Sequence, residues 1–393
     1  MKARRSITDD ERRARIGVRH HLAGSTRATD VTDVVDSLIV LHSTDPASVF
    51  LSAAARMHDP TVEAIETALY VDRSLVRILG MRRTLFVVTG ELVPIVHAAC
   101  TRAIAVTQRR RYAALIEEGG IADDGIAWLE RVGEATLAAL ERRGEAFGAE
   151  LSAEVPELRS QLTYGEGKKW AGTTSMTTWV LTLLAADERI VRGRPRGSWL
   201  SSQYSWSPAP AWQPDGEAPL EGAAAQAELA RRWLASYGPG TLADLAWWTG
   251  WTKTATRAAL AAVAAVEVDL AGATGYVLPA DVEPQVAPEP WVALLPALDP
   301  TAMGWTDRAF YGADDKVLYD RSGNIAPTVW CDGRVVGCWV QRTGGEIAVR
   351  LLADPGQEAT AAIDDAAEQQ GKWLGPARVK SRFRTPIERE LLD

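Results

Sequence analysis

Three times within the first 285 residues an apolar period near 3.6 gives way to a period of 2, and that repeated switch restricts the fold more than any other feature. In the first stretch, 1–90, Thr8-Asp-Asp-Glu11 reads as a capping box for a helix reaching about Ala23. Asp30 opens a second helix that carries Val31, Val34, Val35, Leu38 and Ile39 and ends near His42. Pro46 starts a third, running to Arg56, and Asp59-Pro60 caps a fourth with Ile65 and Leu69 inward. Leu75, Arg77 and Leu79 then alternate, a turn falls at Gly80-Met81, and Thr84–Val88 returns as a strand.

The second stretch, 91–222, repeats the order. Ile126, Leu129, Val132, Leu137 and Leu140 form one helical stripe, a short helix follows at 148–153, and Lys168-Lys169-Trp170 starts a long helix ending near Ala186. Arg189–Val191 and Gly197–Leu200 then frame a basic tip, Arg192-Gly-Arg194-Pro-Arg196, before a Pro/Gly-rich linker from Ser207 to Gly222. The third stretch, 223–285, has a helix over Ala224–Ser236, a capping box at Thr241 and Asp244, a helix over 253–263, and a hairpin from Val266–Leu270 and Tyr276–Leu278. Trp247, Trp248 and Trp251 in its middle read as packing anchors rather than base-stacking groups. Short helices followed by a two-stranded hairpin make the winged-helix plan, which places one helix in a DNA groove.

From about 286 the pattern is β. Pro327–Cys331 and Val335–Gln341 flank Asp332-Gly333, a hairpin dipeptide, and Ile347–Leu352 comes next. A helix over 357–370 and a last basic strand over Arg378–Phe383 close the chain. The expected fold class is α+β: three tandem winged-helix units, then a C-terminal β-barrel-like domain over 286–393.

A net charge of −8 argues at first against a nucleic-acid partner, but its distribution does not. Residues 1–111 hold 17 Lys+Arg against 12 Asp+Glu, which leaves −13 on the remaining 282. Arg189 to Arg196, and the acid-free run with Lys372, Arg378, Lys380, Arg382 and Arg384, are further basic stretches. Local positive surfaces suffice for phosphate contact. Arg82, Arg83, Lys168, Lys169, Arg192, Arg194, Arg196, Lys380, Arg382 and Arg384 are the candidate DNA contacts; each cluster read alone is equally a solvated face. Cys100, Cys331 and Cys338 give no disulfide framework and suit a cytoplasmic protein. No zinc-ligand spacing, nucleotide-binding loop, signal peptide or membrane span is legible, so neither a metal nor a cofactor is expected.

The phrases Met81-Arg-Arg-Thr-Leu-Phe, Tyr237-Gly-Pro-Gly-Thr-Leu-Ala-Asp-Leu and Leu294-Leu-Pro-Ala-Leu-Asp-Pro, in that order, resemble the AlkZ/YcaQ family of bacterial winged-helix DNA glycosylases. The resemblance spans almost the whole chain. It implies metal-independent excision of alkylated or bulky-adducted purines from duplex DNA, in repair or in self-resistance to a genotoxin; three winged helices in one chain make a monomeric clamp the natural arrangement. The family's Gln-x-Gln or Gln-x-Asp pair falls on Leu41-His42-Ser43-Thr44-Asp45-Pro46, with His42 at the first position and Thr44 at the second. A purine alkylated on a ring nitrogen leaves readily, so the enzyme must chiefly steady a cationic sugar and place a water. Asp45 is the nearby carboxylate for that task, with His42 holding the water and Thr44 adding a hydrogen bond. This role requires Asp45 and His42 to face an open channel. Plainer roles suffice as well: Asp45 before Pro46 is an ordinary helix cap, and His42 an ordinary residue at a helix C-terminus. Asp299, Trp305 and Asp307 are expected near the lesion, Trp305 as a wedge or as core. A non-catalytic DNA-binding protein or transcriptional regulator is the alternative.

Overall fold

The structure is a computed structural model that describes residues 4–165, 167, 171–212, 220–313 and 315–392. Its first part contains α1 (Asp9–Arg19), α2 (Val31–Leu38), β1 (Leu41–His42), α3 (Pro46–Ala54), α4 (Val62–Tyr70), β2 (Leu75–Leu79) and β3 (Leu85–Thr89). Then come α5 (Leu92–Val96), α6 (Arg102–Glu118), α7 (Gly125–Arg143), β4 (Ala146–Phe147), α8 (Gly148–Glu154), β5 (Gln161–Tyr164), β6 (Gly172–Ser175), α9 (Met176–Ala186), β7 (Ile190–Pro195) and β8 (Tyr204–Pro208). A third group comprises α10 (Gly222–Tyr237), β9 (Gly240–Thr241), α11 (Leu242–Thr249), α12 (Lys253–Ala262), β10 (Val266–Leu270) and β11 (Ala273–Val277). The C-terminal part adds β12 (Val292–Leu295), β13 (Thr328–Cys331), β14 (Arg334–Gln341), β15 (Ile347–Leu351), α13 (Gln357–Leu374) and α14 (Pro386–Leu392).

One element order recurs three times: a helix, a two-residue strand, two helices, and a hairpin onto which the short strand pairs, with the extra hairpin β5–β6 inserted between the two helices of the second. The sheets are ordered β1-β3-β2, β4-β8-β7 and β9-β11-β10. Side-chain caps set several of the helix starts. Thr8 accepts from the Glu11 amide, Asp45 from Ala47, and Thr241 and Asp244 satisfy each other's amides in a capping box.

The structure departs from the sequence reading in several places. The helix expected from Lys168 begins at Met176, because Gly172–Ser175, with the β-branched Thr173 and Thr174 at its centre, pairs with Gln161–Tyr164 and Ser175 caps the helix that follows. Lys168 and Lys169 themselves lie outside the described residues. Helix α1 ends at Arg19 instead of Ala23, and α2 ends at Leu38, where Ile39 turns to φ +68°. His42 is therefore a strand residue and not a helix terminus. Arg192 and Arg194 lie within β7 and not at a hairpin tip, since the chain reverses over 197–203. Residues 378–383 form no strand: the Val379 amide is taken by the Gln341 side chain and the Arg382 amide by Asp45.

The C-terminal strands form an open antiparallel sheet, β12-β13-β14-β15, with α13 packed on it; among the described residues they close no barrel. The Asp332-Gly333 reversal is the expected one. Both residues take positive φ, and a Cβ on Gly333 would lie 2.5 Å from Arg13.

Two side chains proposed near the lesion prove to be interior. Trp305 is 2% exposed and sits among Tyr237, Phe310 and Tyr311. Asp299 is fully buried and forms a two-pronged ion pair with the fully buried Arg56, at 2.7 and 2.9 Å. Arg56 also donates to the carbonyls of His20 and Ser52 and to the Thr301 hydroxyl, so all five of its N–H groups are used. The network ties α1, α3 and the loop after β12 together.

Arg56→Met should destabilise the protein by about 3–5 kcal/mol, because it leaves Asp299 buried and unpaired, and Arg56→Met with Asp299→Leu should cost less than that single change. Chemical denaturation of wild type and the two variants checks this; a double variant as unstable as Arg56→Met, or more so, would contradict it.

Candidate active site

His42 pairs in register with Phe86 across β1 and β3, its ring edge-on to that phenyl at 5.3 Å. It is 8% exposed and lines a cleft of about 630 Å3 together with Arg82, Thr84, Trp247, Asp307, Arg308, Tyr319 and Asn324. That volume suits a ligand pocket. The cleft joins the first hairpin, helix α11 and the long loop between β12 and β13. Burial, reinforced by the Arg82 charge, drops the His42 imidazole to about 3, so it is neutral at physiological pH.

Asp45 does not share this cleft. It lines a second cavity, of about 370 Å3, with Ser48, Gln341, Lys380, Ser381, Arg384 and Glu388. One of its oxygens caps α3 through the Ala47 amide, and the other accepts from the Arg382 amide at 3.0 Å. Burial raises its pKa, and those two amides and the Arg382 charge oppose the rise. The Arg382 guanidinium reaches the Thr44 carbonyl at 3.1 Å, which pins the C-terminal segment to the 42–45 turn. Thr44, half-buried between the two cavities, lines neither.

The turn that carries Arg82 and Arg83 is strained, with both residues in the left-handed region at φ +54° and +61°. Such geometry in non-glycine residues costs about 1–3 kcal/mol each and tends to collect at functional sites. Arg82 lies over the Trp247 indole at 4.2 Å, and its pKa falls to about 10 through burial and the nearby Arg308. Arg83 is exposed and donates to Gln108 on α6. The cleft's one exposed carboxylate among the described residues is Asp307, which accepts from the Ala309 amide.

A second basic cluster lies behind the 42–45 turn. Arg77 is 3% exposed, donates to the Ser43 hydroxyl at 2.7 Å and to Tyr70, and stacks over Tyr204 at 4.3 Å. Arg192, half-buried, stacks on Trp206, and burial, with Arg77 nearby, pushes it down to about 10. Sequence reading missed Arg77, because strand alternation marks its position without showing that no carboxylate waits for it. Arg194 pairs with Glu66 and Arg196 lies over Phe147, both exposed; Lys380, Arg382 and Arg384 are exposed beside the second cavity. Among the described residues no group of His, Cys, Asp or Glu could hold a metal, and no helix is long and apolar enough to cross a membrane.

These features define a mixed α+β protein with three repeated helix–hairpin units and a basic, aromatic-walled cleft bordered by the first and third of them. The model of the AlkZ-like DNA glycosylases matches residues 35–373, and the chain belongs to that family. The fold is similar to the solved structure of Streptomyces sahachiroi DNA glycosylase AlkZ, with a TM-score of 0.74 at 20% identity over 96% of this chain and 99% of that one. No curated protein matches in sequence.

His20 and His97 are also buried and lowered, His97 to about 4, chiefly by desolvation. The unfolded chain takes up these protons near pH 6.5, so the three histidines contribute stability above that pH and lose it as pH falls toward 4. Thermal melts should therefore drop between pH 7 and 5, and His42→Gln should flatten the drop. An unchanged pH slope in that variant would refute a neutral, buried His42.

Proposed function

We propose that the chain is a monofunctional DNA glycosylase that excises alkylated or bulky-adducted purines from duplex DNA, acting as a monomer without metal or cofactor, in repair or genotoxin self-resistance. Family membership over residues 35–373 carries this reading, supported by a cleft lined by the residue at the family's first signature position. The three repeats read as winged helices that grip the duplex. Arg82, Arg83, Arg192, Arg194, Arg196, Lys380, Arg382 and Arg384, with Lys168 and Lys169, supply the phosphate contacts.

The chemistry is set by the charges. The target nucleotide swings out of the stack into the cleft. Its base leaves as a neutral purine, and positive charge passes to the sugar. A neutral His42 orients water there without adding a cation opposite the sugar, which a protonated imidazole would do. With its pKa near 3 it is a poor proton acceptor, so a carboxylate must take the proton. Asp307 shares the cleft with His42 and fits that task. Asp45 and Thr44 act on the same turn from behind, Asp45 by holding α3 and the C-terminal segment in place. A non-catalytic DNA-binding role is the second reading, favoured by the absence of the Gln-x-Gln or Gln-x-Asp pair.

Base release from methylated and bulky-adducted duplexes, read as heat- or alkali-labile sites, separates the roles. Asp307→Asn and His42→Ala should each slow release about 100-fold or more with the melting temperature retained. Asp45→Asn should instead lower stability by about 1–2 kcal/mol, with a smaller loss of rate. Equal rates in wild type and Asp307→Asn would return the carboxylate role to Asp45; no release by wild type on any such duplex would favour the second reading.

A further inference from the structure

The His42 cleft holds two guanidinium groups, Arg82 and Arg308, that no carboxylate among the described residues pairs with. Arg82 sits on the strained turn after β2 with its Nε buried and unbonded, and Arg308 comes directly after Asp307 on the loop after β12. Both lie against one indole, Trp247, at 4.2 and 5.5 Å from its centre, and Arg308 also lies over Tyr319 at 4.9 Å. Among the described residues neither forms an ion pair. Among the described residues Arg308 donates to the Trp305 carbonyl and, weakly, to the Met303 sulfur. The Asp307 carboxylate beside them is bonded to the Ala309 amide.

Two like charges on one ring, half removed from water, repel each other. A guanidinium on an aromatic face nevertheless keeps N–H edges free for a planar, two-pronged acceptor, and phosphate oxygens meet that geometry well. The reaction proposed above makes the same demand from the other side. A cationic sugar beside two bare guanidiniums would be opposed by them, unless an anion enters the cleft with the substrate.

We propose that Arg82 and Arg308, carried on Trp247, clamp one phosphodiester flanking the nucleotide that enters the cleft. The clamp rests on the glycosylase reading. It couples substrate binding to charge compensation: the phosphodiester's single negative charge offsets one of the pair's two positive charges as the nucleotide arrives. Arg83, tied to Gln108, lies outside it.

The test uses the full chain and a duplex with a central tetrahydrofuran abasic-site analogue, with binding followed by fluorescence anisotropy over a range of salt. Arg82→Gln and Arg308→Gln should each weaken binding about tenfold and lower the log–log salt slope by about 1, with the melting temperature retained. Methylphosphonate, which is uncharged, is then placed singly at each phosphate around the analogue. One position should cost wild type about tenfold and leave the doubly substituted protein unaffected. Should Arg82→Gln fail to fold, Arg308→Gln with the same phosphate scan gives the answer. Wild-type affinity and slope in Arg308→Gln, or a scan that affects wild type and variant alike, would refute the clamp while duplex binding stands. So would saturable binding of inorganic phosphate at the pair with no effect of any methylphosphonate, since the ligand would then be free phosphate. Absence of duplex binding by wild type would instead overturn the glycosylase reading itself.

Discussion

The Arg56–Asp299 pair is the interaction on which the arrangement of the cleft rests. Neither side chain touches water, and each would be costly to bury alone. Their partners come from four places in the sequence. Ser52 on α3 donates to Asp299, Thr301 bonds both Arg56 and His20, and His20 reaches the Ser236 carbonyl on α10. Thr301 must then donate to His20 Nδ1, which leaves Nε2 to carry the proton toward Ser236. A network so fully satisfied permits one docking of the β12–β13 loop on the first helices. That loop carries Asp307 and Arg308 to the face where β1 presents His42.

Around this anchor the protein separates two jobs that lie next to each other in sequence. His42 looks into the cleft, and Asp45, three residues later, looks into another cavity and holds a helix start and the C-terminal segment. The separation has its origin in backbone chemistry. A strand residue and a helix-capping residue joined by a two-residue turn need not point the same way. The turn is itself fixed by Arg77, whose guanidinium holds Ser43 from the side away from solvent. Positive charge thus surrounds the 42–45 segment, from Arg82 in front and from Arg77 behind. A neutral imidazole at His42 fits that surrounding where a charged one would not.

Local rules carried much of the sequence reading. Caps at Thr8, Asp45 and Thr241, the Asp332-Gly333 hairpin, and the change of period at Leu75 and Val266 depend on neighbours within a few residues, and the structure keeps them. The failures depend on distant partners. Nothing near Asp299 says that Arg56, 243 residues earlier, will meet it, and nothing near Trp305 announces Tyr237. The alternating run 378–383 looked like a strand, but its amides found side chains on β14 and at Asp45. The site shows the same division. His42 and Arg82 were legible as candidates, whereas Trp247 and Arg308 as cleft walls, and Arg77 behind the turn, emerge only once the chain is folded.

The central claim is that this cleft releases a damaged base from DNA. The most direct measurement is mass spectrometry of both products after excess protein meets a duplex holding one N-alkylated purine. One free alkylated base is expected for each abasic strand, with the sugar–phosphate backbone uncut. A duplex recovered bound to the protein with its base complement intact would contradict it.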